Sequence, residues 1–226
     1  MNERGARRRA MIGTLAAGGA LGAAGLGGVI SRALAKGDLP PGVHQLDGGA
    51  TVNAKPAQVG TPLKPGDRIA TGPQSRAVIV IGSDAFLMRA DTTLETRGAA
   101  GVLTDMLVAG GRILTVLSKK PVAVAAAHAT IGIRGTGFYL EVDEAGVYFC
   151  LCYGEALIEG PGMGEPRAVK TTHHESPLLL AEAAGVMRAD PGPFRNHTDA
   201  ELVMLEALCG REPPFMKDGK YPLGKY

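Results

Sequence analysis

The sequence predicts a mainly β fold, a single domain of many short strands arranged as a sandwich or in a solenoid-like stack, with a short C-terminal helix. Three observations support this. Between residues 67 and 157, short β-branched and apolar runs alternate with turns rich in Gly and Pro, at the spacing of all-β folds. Near the C-terminus one stretch switches to helical spacing behind a strong start signal. Trp is absent and aromatics make up only 4% of the chain, so the core must be built mostly from Val, Ile, Leu and Ala.

The first 35 residues read as an export signal. Arg4, Arg7, Arg8 and Arg9 precede an uncharged run from Ala10 to Ile30, a positive region followed by an apolar one. Arg8-Arg9-Ala10-Met11-Ile12 follows the twin-arginine pattern of two arginines, any residue and two apolar residues, and Sec export is the other route. Ala33-Leu34-Ala35 puts small residues where a signal peptidase reads, so cleavage is expected after Ala35. The alternative is a retained membrane anchor, since about 20 apolar residues can cross a bilayer. Either outcome places the rest of the chain outside the cytoplasm, in the periplasm. Residues 1–35 carry five Arg and one Glu, net +4, so of the chain's +2 the remainder holds −2. A mildly acidic domain without a basic stretch gives no electrostatic reason to expect a nucleic-acid partner.

The remaining elements follow in order. Pro40-Pro41-Gly42 and Asp47-Gly48-Gly49 suggest a flexible lead-in over 36–59, and Lys64-Pro65-Gly66 a turn at the start of a β domain over 60–180. Residues 77–81 form a β-branched strand closed by Gly82-Ser83-Asp84, and 85–89 start the next. Strands are expected at 112–117 after Gly110-Gly111, at 122–133 after Pro121, at 138–142 and at 147–153. A C-terminal extension over 181–226 contains a helix at 198–209. Thr198 and Glu201 form a capping box, Leu202, Leu205 and Leu208 follow at helical spacing, and Gly210 ends it.

Two segments carry a family resemblance. Gly66-Asp67-Arg68-Ile69-Ala70-Thr71-Gly72, followed by Ser75-Arg76-Ala77-Val78, looks like the opening of a FecR domain. Ala129 to Phe138, with Arg134-Gly135-Thr136 and Phe138, resembles that family's strand followed by Arg-Gly-Thr, one residue and Phe; residues 147–158 fit the next strand and turn. The resemblance covers about residues 60–160 and implies an extracytoplasmic all-β domain. Arg134, Gly135, Thr136 and Phe138 are expected to serve the scaffold, Gly135 through a tight turn, Arg134 by bonding carbonyls and Phe138 by packing inward. The best-known FecR proteins relay a signal from an outer-membrane transporter through a cytoplasmic segment. Only nine residues precede the apolar run here, so the expectation is a stand-alone exported member.

The residues able to carry chemistry are cysteines and histidines. Along Gly146 to Gly154 side chains alternate, which puts Cys150 and Cys152 on one face with Tyr148, and Phe149 and Leu151 on the other. Their Cα atoms would be about 6.5–7 Å apart on a regular strand, at the limit of disulfide reach. His173 and His174 follow about 20 residues later, and both can face one site only if the chain turns there. His197 lies just before the helix cap, and Cys209 near the helix end. Thiolate with imidazole suits zinc or copper, or iron in haem. The site is therefore expected to be metal-binding through Cys150, Cys152, His173, His174 and His197. Other readings stay open: cysteines that only fill the core, and a thiol redox protein or a disulfide from one of the pair to Cys209. No nucleophile elbow, paired-carboxylate motif or phosphate-binding glycine loop is present. A non-enzymatic binding or sensory domain with an envelope or outer-membrane protein partner is expected; the alternative is an envelope assembly module that binds polysaccharide or protein.

Overall fold

The structure, a computed structural model, describes residues 39–216. The signal segment, the Ala35 cleavage site and the end of the C-terminal tail lie outside the described residues. The chain is mainly β, as its pattern of short apolar runs predicts. Its strands are β1 (Gly42–Asp47), β2 (Ala50–Val52), β3 (Lys55–Pro56), β4 (Arg68–Thr71), β5 (Arg76–Ile81), β6 (Asp84–Met88) and β7 (Thr93–Ala99). They continue with β8 (Val102–Val116), β9 (Pro121–Ala126), β10 (Ala129–Asp143), β11 (Gly146–Glu159), β12 (Arg167–Thr171), β13 (Leu178–Ala183) and β14 (Val186–Pro191). A helix, α1 (Asp199–Leu208), and a 3-10 turn at Pro214–Met216 follow.

All these strands belong to one open sheet, ordered β14-β13-β11-β10-β9-β8-β7-β4-β2-β3, with β1, β5 and β6 branching from β8 and β12 from β11. The segment expected as a flexible lead-in over 36–59 supplies β1, β2 and β3. Pairing with β5 and the burial of Val43 order it. Strands also continue beyond residue 180, through β13 and β14.

Three long strands give the sheet two sectors. Residues 129–134 of β10 lie beside β9, whereas 137–142 lie beside β8. Along β11, residues 147–149 meet β13 and 154–158 meet β12. The change of partner falls on the Arg-Gly-Thr motif, where the β10–β11 register slips between Arg134 and Gly137. Gly135 has φ +64°, a conformation glycine adopts without a Cβ penalty. At Gly137 a Cβ would come within 2.6 Å of the Tyr153 ring. Thr136 and Phe138 are buried. Arg134 is exposed, and no hydrogen bond from it to a carbonyl is found among the described residues.

Two apolar clusters lie on opposite faces of β11. Phe149 and Leu151 join Phe138, Phe86, Ile79 and Ile131 in the larger one. Tyr148, Cys150 and Cys152 join Val78, Leu87, Leu114 and Tyr139 in the second, which α1 covers with Leu202, Leu205 and Leu208. Burial on both faces explains why residues 147–153 read as a continuous apolar run. Each helix leucine contributes about 1.5–3 kcal/mol by leaving water. The capping box forms as its sequence predicts: Glu201 N–H donates to Thr198 Oγ1, and Thr198 N–H donates to the Glu201 carboxylate.

Candidate metal centre

Cys150 and Cys152 are positioned by β11, His174 by the turn after β12, and His197 by the connection into α1. All four are buried, and their donor atoms lie within 4.8 Å of one another. Cys150 Sγ is 3.5 Å from His174 Nδ1, Cys152 Sγ is 3.5 Å from His197 Nε2, and the two ring nitrogens are 3.1 Å apart. Bonds of about 2.05 Å to nitrogen and about 2.3 Å to sulfur would put tetrahedral N and S donors about 3.6 Å apart, and two N donors about 3.3 Å apart. The observed separations therefore approach the edges of one coordination tetrahedron.

Adjacent histidines on a regular strand would face opposite ways. Here His174 has φ +53°, a left-handed conformation rarely adopted by a residue other than glycine, and the strand ends. Its N–H donates to the Cys152 carbonyl at 3.0 Å, which ties the turn to β11. The two neighbouring rings then converge on Asp199: His173 Nε2 lies 2.8 Å and His174 Nε2 3.1 Å from the same carboxylate oxygen. His173 thus occupies an outer layer, and its side chain is 16% exposed.

The outer layer also fixes which ring nitrogens face inward. The Arg195 carbonyl can only accept, so His197 Nδ1–H donates to it (2.8 Å) and Nε2 points at the thiols. The Asp199 carboxylate accepts likewise from His174 Nε2–H, leaving Nδ1 to face inward. With neutral rings two nitrogen lone pairs meet across 3.1 Å, an arrangement that a proton on one ring or a metal cation between them relieves.

Aromatic rings exclude water around the donors. Tyr139 stacks on His197 at 4.6 Å, and Phe194 packs against the imidazoles of His197 and His174 at 4.6 and 4.8 Å. The loop bearing His197 is held from outside. Asn196 Nδ2 donates to Glu141 (2.6 Å), Arg195 pairs with Glu141 (2.9 Å), and Arg89 donates to the Asn196 carbonyl (2.7 Å).

The electrostatics favour one thiolate. Hydrogen bonding from Cys152 outweighs burial and, with His174 and His197, pulls the Cys150 thiol down to about 4. Burial pushes Cys152 well above its ordinary value, reinforced by the neighbouring thiolate. For His174, burial pulls downward, but hydrogen bonds to Asp199 and Cys150 outweigh it and raise the imidazole. The pair therefore holds one proton between two sulfurs, and a second thiolate needs a cation.

Of the five expected ligands, four converge and His173 stands one layer out. Cys209, the helix C-cap, is half-buried outside the four-donor group. Asp199, Glu141 and Tyr139 lie in no motif that marks them in the sequence for this site. Asp199 is visible in the sequence only as an acidic residue in the first turn of the helix. A separate cleft of about 710 Å³ lies at the other sector, lined by apolar residues such as Val122, Ile133 and Val169 with Arg134, Glu155 and Lys170. It shares no residue with the Cys/His group.

No protein-family model matches the chain, and no curated protein matches it. Among solved structures it is similar to two crystal structures of a protein described as a "putative anti-sigma factor" from Parabacteroides distasonis, at 1.65 and 2.50 Å resolution. Both give a TM-score of 0.46, with 9% and 10% identity over 55% of this chain and 59% of that one. The chain thus spans less than two thirds of the length of the solved protein. Among the described residues, no helix is long and apolar enough to cross a membrane.

Proposed function

We propose that this chain is an exported, FecR-like binding or sensory domain built around one tetrahedral metal ion. Cys150, Cys152, His174 and His197 hold the ion, and zinc is the first candidate. The observation that carries the reading is the set of donor separations, 3.5, 3.5 and 3.1 Å, among four buried groups whose outer nitrogens are already engaged. Two thiolates neutralise a divalent cation, which suits a dry site better than a monovalent copper ion would. Four convergent protein donors leave no plane for a porphyrin, so haem is set aside. The same donors leave no open position for a bound water, which favours a structural or sensory ion over a catalytic one.

Cys150, His174 and Asp199 also form the order thiol, imidazole, carboxylate of a nucleophile relay. Burial argues against that use: Cys150 and the His174 side chain are 0% exposed. Export to the periplasm is supported by the arginines and the uncharged run of residues 1–35, and the FecR reading by the Arg-Gly-Thr joint of β10. A second reading, contact with an envelope protein or polysaccharide, draws on the cleft beside Arg134.

Cobalt substitution tests the proposed coordination. The cobalt-loaded protein should show the intense visible bands of a tetrahedral ion together with thiolate-to-metal charge transfer. Weak octahedral bands, or a spectrum unchanged by Cys152→Ala, would overturn it.

A further inference from the structure

The four donors stand on elements of unequal freedom. Cys150 and Cys152 belong to β11, which is hydrogen-bonded to β10 along most of its length and to β13 or β12 on its other edge. His197 belongs to a connection without regular structure, one residue before the Thr198 cap, and Asp199 is the first residue of α1. Any shift of the helix therefore moves one ligand directly and another, His174, through Asp199.

The helix covers an otherwise apolar sheet face, with Val78, Val80, Leu87, Leu114 and Val116 beneath it. Other contacts hold it as well. Glu201 pairs with Arg76 (3.2 Å) and Arg89 (3.1 Å), and Leu39 N–H donates to the Leu208 carbonyl (3.1 Å). The helix buries Leu202, Met204, Leu205 and Leu208 against this face, with Phe194 and Phe215 packed at its edges. Polar contacts add to this hold. Among them, the Cys/His group joins the loop ahead of the helix to the central strand.

Without the ion, the His174 and His197 nitrogens face each other at 3.1 Å beside two buried sulfurs. β11 cannot move without breaking its ladders, whereas the loop is held by side-chain contacts, those of Asn196 and Arg195 with Glu141, of Arg89 with the Asn196 carbonyl and of Tyr148 with the Pro193 carbonyl.

We propose that the ion is a latch: its binding and the docking of residues 193–216 over the sheet are one equilibrium, so that ion loss uncovers the apolar face beneath α1. This rests on the metal reading above and goes beyond it, because a bound ion could equally stabilise the whole domain without selective release of the helix.

Hydrogen exchange on the full chain, with ion content measured on the same samples, decides between these. Metal-free protein, obtained by chelation or metal-depleted expression, should lose protection at least tenfold over Asp199–Leu208. The β7–β8 pair should stay within twofold, and a dye that binds apolar surface should brighten. His197→Ala should reproduce the pattern without a chelator. Glu201→Ala should loosen the helix far more in the metal-free form than in the loaded one. Equal loss of protection everywhere, or an unchanged helix in protein shown to have lost its ion, would overturn the latch while leaving the metal site standing. Wild type that never holds an ion would overturn both.

Discussion

Phe149 and Leu151 point from β11 into a cluster of aliphatic and phenyl side chains, while Cys150 and Cys152, one residue away, point into a cluster with a different edge. The first cluster needs only shape and apolar area. The second borders His174, His197, Asp199 and Glu206, all buried, so its polar atoms have to find partners. Tyr153 donates to Glu206, and Tyr139 to Glu141. The donors of the Cys/His group answer mainly to one another. One strand thus separates a core that specifies the fold from a core that holds chemistry, and perturbing each side should give distinguishable results.

The largest expected effect lies on the chemical side. Cys152→Ala should abolish stoichiometric metal retention, with affinity falling by on the order of a thousandfold or more, read by competition with a metallochromic chelator. Ion retention by this variant would break the contrast between the two faces.

Phe149→Ala makes the opposite test. It should cost about 3–5 kcal/mol in denaturant unfolding, with the same loss in metal-loaded and metal-free protein. A loss that depends on the ion would mean that the larger cluster is not independent of the site.

Asp199→Asn keeps the size of the side chain and removes its charge. Metal affinity should fall about 10–100-fold, the usual cost of losing an outer-layer partner, while the visible spectrum of the cobalt form keeps its tetrahedral pattern. An unchanged affinity would demote Asp199 to a helix-terminus acid.

Acidity supplies a graded test. Burial raises Cys152, so it keeps its proton at neutral pH, while Cys150, held at about 4 chiefly by hydrogen bonding from Cys152, does not. Loading the ion must therefore expel the Cys152 proton, and affinity should rise with pH by about tenfold per unit for each proton displaced. Calorimetry in buffers of different ionisation enthalpy would measure that release, and zero protons released would contradict the assignment.

The smallest effect is expected away from both clusters. Burial raises the Asp84 carboxyl, against the hydrogen bond from Ser118 N–H. Since the folded state holds this proton more tightly than the unfolded one, the ionised group costs stability above its raised value, and the cost fades as pH falls through it. Asp84→Asn should then stabilise the protein at neutral pH by no more than about 1 kcal/mol. A destabilised variant would show that the carboxylate charge is needed there.

The two faces were also unequally legible in sequence. Alternation along 147–153 suffices to put both thiols on one side, because a strand has only two faces. The helix start is equally visible, since a capping box is local chemistry, and it places His197 beside the helix entry. The division between His173 and His174 is not visible: it depends on a left-handed residue at His174, which no turn signal such as Gly or Asn announces. Asp199 is hidden for a similar reason, an acid in a first helical turn being common whatever lies beneath it. The pairing of β1 with β5 and the parallel contact of β8 with β9 depend on long-range register, which local patterns do not encode.

One ion in the Cys/His group is the feature on which the site, the latch and the contrast between the two faces all depend. Native mass spectrometry of the full chain, purified without added metal, should show one ion of zinc mass per chain. That mass should be absent from the Cys150→Ser, Cys152→Ser double variant, whose circular dichroism retains the β signature. Wild type free of metal, or a double variant that still carries the ion, would contradict it.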